Sequence, residues 1–156
     1  MRFIIAAILF AIAGAAAAQD KYIGYYYPDV MSEETFDRII VNTPPANKAI
    51  RVGFVTAITK AQLDAPESPR FVLFTKGGES DQLIMVALDD EIFKTMYRAR
   101  ALFAQLTSNI RGTEFFRQQE LEVAGTFFDM LQIMNFKSLV VTDGENWAHK
   151  VNFIRN

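Results

Sequence analysis

The sequence predicts an α+β domain, in which an antiparallel sheet (a three-strand meander plus a C-terminal hairpin) packs with two to three helices. Three observations carry that expectation. Short apolar runs of strand length occur at 49–58, 70–75, 82–88, 138–142 and 147–154, separated by stretches that hold Gly, Pro or Asp. Ile92, Met96, Ala99, Phe103, Leu106 and Ile110 recur at alternating spacings of four and three, one apolar stripe on a long helix. The composition is that of a globular protein, with 51% hydrophobic and 22% charged residues and only 8 Gly and 5 Pro.

The first 18 residues, MRFIIAAILFAIAGAAAA, read as a secretory leader. Arg2 is a short basic start, Phe3 to Ile12 an apolar stretch, and Ala16-Ala17-Ala18 the small residues a signal peptidase needs. The apolar run is short of the ~20 residues of a spanning helix. The expected organisation is therefore a signal peptide over 1–18 and a single α+β domain over 19–156, delivered to the periplasm or the medium, with no membrane span once the leader is removed. With no Cys, such a domain is stabilised by burial alone, and 14 Phe supply the apolar bulk.

Each later segment has its own signal. Residues 22–31 hold four of the five Tyr and are interrupted by Pro28. Ser32 followed by Glu33 and Glu34 has the chemistry of a helix start, predicting a helix over 32–41 that ends before Pro44-Pro45. At 49–58, Ile50, Val52, Phe54 and Ile58 alternate with Arg51, Gly53, Val55 and Ala57, predicting a strand. Lys76-Gly77-Gly78-Glu79-Ser80-Asp81 is a hairpin loop between the next two strands. The long helix opens at Asp89-Asp90-Glu91 and ends near Gly112. A second, over 117–134, has a narrow polar strip of Gln118, Glu122, Thr126, Asp129 and Gln132. The broad apolar circumference around Val123, Phe127, Met130 and Met134 makes it either central or part of an interface. The final strands turn at Asp143-Gly144 through two or four loop residues, and either register puts Val140 on the face of Trp147 and His149.

The chemistry is mostly one of exclusions. The absence of Cys removes disulfides, zinc–thiolate sites and a Cys nucleophile, and a single His removes His-rich metal sites. A net charge of −2 lacks the basic excess of a nucleic-acid binder. No G-x-S-x-G elbow is present, and the acid nearest His149 in sequence, Asp143, sits in a turn, so no catalytic residue is assigned. The Gly77-Gly78 loop lacks G-K-[ST] and leads into a strand, so no helix N-terminus faces an anion. The acidic clusters Asp89-Asp90-Glu91 and Glu33/Glu34/Asp37 match no calcium loop. No metal and no cofactor are implied.

The candidates that remain are for binding. His149 shares a strand face with Trp147, Val151 and Phe153 and reads as a general base or as a ligand contact in an apolar pocket. Arg100 falls beside the core stripe near Tyr97, and a half-buried Arg there can hold an anion or stack on a ring, with Arg51 and Arg70 as co-ligands. Tyr25, Tyr26 and Tyr27, in the Tyr cluster, suit contact with a partner, as do Phe127, Met130 and Met134 on the second helix.

The blocks FVTAIT, RFVLFTKGGESDQLIMVALDD, FKTMYRARALFAQLTSNIR, TFFDML and VVTDGENWAHKV, over about residues 45–155, resemble a family of small exported bacterial proteins. Some members carry the name molybdopterin-guanine dinucleotide biosynthesis protein A. The resemblance implies export and, through that name, a link to the molybdenum cofactor. It transfers no catalytic residue, since Gly77-Gly78-Glu79-Ser80 matches only a fragment of the nucleotidyltransferase loop. The order of elements is also similar to that of secretion-chaperone and profilin-like modules, a likeness of fold alone. The expected function is a non-catalytic exported interaction or accessory domain with a protein partner in the cell envelope. The alternatives are a binder of a small anionic or hydrophobic ligand, or a protein of the molybdenum-cofactor pathway.

Overall fold

Five strands form one mixed sheet in a computed structural model that describes residues 28–38, 46–89, 93 and 95–154. Along the chain run β1 (Ser32–Phe36), α1 (Lys48–Leu63), β2 (Phe71–Lys76), β3 (Gln82–Ala87), α2 (Met96–Arg111), α3 (Glu114–Gln118), α4 (Phe127–Ile133), β4 (Ser138–Thr142) and β5 (Ala148–Phe153). The sheet order is β1-β5-β4-β3-β2. β2–β3 and β4–β5 are antiparallel hairpins, whereas β3–β4 and β1–β5 are parallel. The class is α+β as expected, but the sheet is mixed, not antiparallel. The stretch holding α2, α3 and α4 carries the chain back across the sheet, which allows parallel pairing of β3 with β4.

Among the described residues, the four helices pack on one face. Their buried residues, among them Ala99, Phe103, Phe116, Phe127 and Leu131, join one core with Leu83, Met85, Leu139, Val141 and Val151 from the sheet. Ile84, Val140 and Ala148 form a separate cluster on the opposite face. Topology accounts for this one-sidedness. The β1-to-β2 and β3-to-β4 connections run in opposite senses along strands of opposite direction, so right-handed crossovers put both on the same side.

Two elements exchange type relative to expectation. Residues 48–63 form a helix, not a strand. Asn47 accepts a hydrogen bond from the Ile50 N–H as its N-cap, and Phe54, Val55 and Ile58 make its core side. Residues 32–36 form a strand, not a helix. Its register, Ser32 opposite His149 through Phe36 opposite Phe153, supplies the backbone partners that an isolated Ser-Glu-Glu helix start would lack. Phe36 anchors it, packing edge-on to Phe128 and Phe153 with centroids 5.4 and 6.0 Å away.

The predicted helix over 117–134 is two helices. Glu120 adopts φ +55°, and Gly125 sits so close to Leu121 that a Cβ there would lie 2.5 Å from the Leu121 carbonyl oxygen. α4 then starts afresh on a capping box, Thr126 and Asp129 each bonding the other's backbone N–H. α2 starts at Met96, where Thr95 is the N-cap, and carries the expected stripe from there on; Asp90, Glu91 and Ile92 lie outside the described residues. The terminal hairpin has neither expected loop: Thr142 pairs with Ala148, leaving five residues, 143–147, between them. His149 therefore lies opposite Val141, and Val140 belongs to the other face.

Candidate functional site

The β1–β5 edge brings a group of polar side chains together around the buried His149. Ser32 and Glu34, two apart on β1, project to the helical side, as does His149 on β5. Ser32 Oγ lies 2.8 Å from His149 Nδ1. Glu34 Oε1 lies 3.3 Å from His149 Nε2, and its other oxygen is 3.6 Å from the Arg100 guanidinium on α2. The imidazole is 4% exposed and stacks on Trp147 at 6.2 Å and 15°, which stacks in turn on Phe93. Ser32 itself is exposed. The arrangement is a hydroxyl, an imidazole and a carboxylate in series, with a cation behind the carboxylate.

Two predicted site residues, Arg100 and His149, are thus brought together, each reaching one oxygen of Glu34. Arg100 differs from expectation in being largely exposed and ion-paired, so it is not a half-buried cation open to an anion. Tyr97, one turn earlier, is 85% exposed and lies away from the core. Arg51 is a structural residue: at 3% exposure it donates to the carbonyls of Ala46, Glu79 and Met134, tying α1 to the β2–β3 loop and the end of α4. Arg70 stands at the opposite edge of the sheet, 4.0 Å from Asp89. The three arginines are therefore not co-ligands of one site.

The predicted partner face on 123/127/130/134 is corrected as well. Phe127 and Met130 are in the core, because α4 turns them toward the sheet, and Met134 is half-buried. Tyr25, Tyr26 and Tyr27, and the expected leader, lie outside the described residues. Ser32 and Glu34 were not among the expected site residues, since a helix start over 32–34 would point them to solvent. The available signal was the alternation Ser32, Glu34, Phe36, with one apolar anchor at its end.

A second feature lies across the molecule. Between α1 and α2, over β2, runs an open groove of about 410 Å³. Its walls are Ile58 of α1, Leu102, Leu106 and Ile110 of α2, with Phe71 and Phe127 beneath. Glu67 and Arg70 are the charged residues of its lining, one of each sign. The Gly77-Gly78 loop, by contrast, is a turn: Gly77 supplies φ +87°, the Ser80 N–H bonds the Gly77 carbonyl, and Lys48 Nζ caps the Gly78 carbonyl. Among the described residues, no three His, Asp or Glu side chains come together as metal ligands, and no helix is long and apolar enough to cross a membrane. No family model matches the chain, and neither a curated protein nor a solved structure matches it.

Proposed function

We propose that this protein is an exported binding domain for a small, largely apolar ligand, held in the groove between α1 and α2. The groove carries the reading. Its volume falls within the roughly 300–1,000 Å³ of small-molecule sites, and its walls are apolar with a few polar groups at the rim, as such sites require. Of the two ligand classes the sequence left open, hydrophobic is favoured over anionic. The lining charges of Glu67 and Arg70 oppose each other, and Arg100 already faces Glu34. A protein-interaction role is less favoured, because the helical surface on which it was expected contributes Phe127 and Met130 to the core. Export rests on the leader pattern of Arg2, the apolar stretch and Ala16–Ala18.

The test uses Nile red as an uncharged fluorescent probe and decanol as competitor. Binding gives a saturable, blue-shifted emission that decanol displaces. Leu106→Trp, which fills the groove from the middle of α2, abolishes the signal while leaving the circular dichroism unchanged. Decanol at about 100 times its Kd raises the unfolding free energy by about 2.7 kcal/mol. Emission unchanged by Leu106→Trp would show that the dye sits elsewhere and would remove the assignment.

A further inference from the structure

We propose that Ser32, His149 and Glu34 form an acyl-transfer site at the β1 edge of the sheet, which cleaves carboxylic esters through Ser32. It is separate from the groove and does not depend on it.

The geometry has the order that nucleophilic catalysis needs: a hydroxyl on a ring nitrogen, and a carboxylate at the other ring nitrogen. With the Ser32 hydroxyl donating to Nδ1 at 2.8 Å, the neutral imidazole carries its proton on Nε2. Nε2 is buried and makes no well-formed hydrogen bond, yet Glu34 Oε1 stands 3.3 Å away. A buried donor left without a full partner is costly in a purely structural role. Catalytic hydrogen bonds, in contrast, are commonly long in the free enzyme and tighten on the reacting complex. Arg100 faces the second oxygen of Glu34 at 3.6 Å and orients the carboxylate toward the ring. Trp147 fixes the ring plane. Ser32 is exposed where an ester carbonyl would approach.

The backbone supplies a donor for the developing oxyanion. The Met31 N–H bonds the Ala148 carbonyl, so alternation along the paired strand turns the Ser32 N–H toward the other side of β1, where the described sheet has no further strand. The nucleophile's own N–H is one of the donors used in oxyanion holes of this chemistry.

The reaction balances without a cofactor. Ser32 Oγ forms a bond to the carbonyl carbon as its proton passes to His149 Nδ1. Collapse breaks the carbon–oxygen bond to the alcohol, which leaves with that proton. Water then adds to the acyl carbon, giving its proton to Nδ1. The bond to Oγ breaks, Oγ recovers the proton, and the carboxylic acid departs. Glu34 and Arg100 are positioning residues throughout.

The test treats the purified chain with a biotinylated fluorophosphonate and measures p-nitrophenyl acetate hydrolysis in parallel. The expected result is one covalent adduct per chain, mapped to Ser32 and absent in Ser32→Ala. His149→Gln should slow both labelling and hydrolysis at least 100-fold. Glu34→Gln should lower kcat with KM unchanged, the mark of a group that orients the base without holding substrate. No adduct at Ser32 overturns the proposal, as does labelling at an unchanged rate in His149→Gln. Should the His149 variant fail to fold, Ser32→Ala alone decides, through loss or retention of hydrolysis.

Discussion

Ser32 and His149 lie directly opposite each other in the β1–β5 register, 117 positions apart in sequence, with Oγ and Nδ1 2.8 Å apart. That pairing sits at one edge of the sheet, while the groove lies over β2 at the other. Sites so separated and without shared partners act additively. Filling the groove with Leu106→Trp should therefore leave fluorophosphonate labelling of Ser32 at the wild-type rate, and Ser32→Ala should leave the Nile red affinity unchanged. A change of more than about threefold in either direction, read by titration and by labelling kinetics, would show that α2 couples the two.

Arg51 offers the sharpest stability test. Its guanidinium is almost fully buried and serves three segments at once: the Glu79 carbonyl from two nitrogens at 3.1 and 2.7 Å, the Ala46 carbonyl at 2.6 Å, and the Met134 carbonyl at 3.4 Å. Removing it leaves these acceptors without their donor. Hydrogen bonds made by a charged group contribute about 1.5–3 kcal/mol each, so Arg51→Ala should lower the urea unfolding free energy by about 3–5 kcal/mol. Arg51→Lys should recover only a minor part, because a single ammonium cannot reproduce a planar fork. Full recovery by Lys would mean that charge alone matters at this position.

Much of the frame was legible in the sequence, and the part that was not hid half of the site. β2, β3 and the terminal hairpin follow from their apolar runs and the Gly and Asp residues between them. The α2 stripe follows from its spacing, which Ala99 and Phe103 realise as buried positions. The segments 32–36 and 48–63 mislead for one reason. Alternation of Ile50, Val52 and Phe54 imitates a strand, and Ser32-Glu33-Glu34 imitates a helix cap. Short-range signals of this size amount to about 1 kcal/mol, less than the tertiary pairing that decides the outcome. Asn47 as an N-cap and the length of α1 were the clues to the first. Phe36 as an anchor was the clue to the second. Reading 32–34 as a helix turn made Ser32 a cap and Glu34 a first-turn acid, so His149 and Arg100 looked unconnected although Glu34 joins them.

Gly125 marks the break between α3 and α4. A Cβ there would lie 2.5 Å from the Leu121 carbonyl oxygen and 2.7 Å from both the Leu121 Cβ and the Phe116 ring. The Phe116 ring is fully buried, and the Leu121 carbonyl already accepts the Gly125 N–H, so neither can move aside freely. Gly125→Ala should destabilise by about 2–3 kcal/mol, the range of overpacking in a filled core. Gly112→Ala is the control, since nothing lies within 4 Å of a Cβ built there. A thermal melt in which the two variants shift equally would remove the steric explanation.

Asp143 organises the loop that delivers Trp147 and His149 to β5. One of its carboxylate oxygens accepts the N–H groups of Glu145, Asn146 and Trp147 at 2.9, 2.9 and 2.8 Å. Partial burial pushes its pKa up, but the backbone donors from Trp147, Glu145 and Asn146 together outweigh burial and hold it below the ordinary 3.8. A carboxyl whose pKa is depressed on folding contributes stability that is complete above its unfolded value and is lost as pH falls through the folded one. Asp143→Asn keeps an oxygen acceptor but removes the charge. The gap in unfolding free energy between the wild type and Asp143→Asn should therefore be constant from pH 7 to about 5 and narrow as pH falls below 3.8. Urea titrations of both proteins across that window read the gap directly, and comparison with the variant cancels the other carboxylates. A gap that widened on acidification would mean that the loop is held by contacts other than the ionised Asp143.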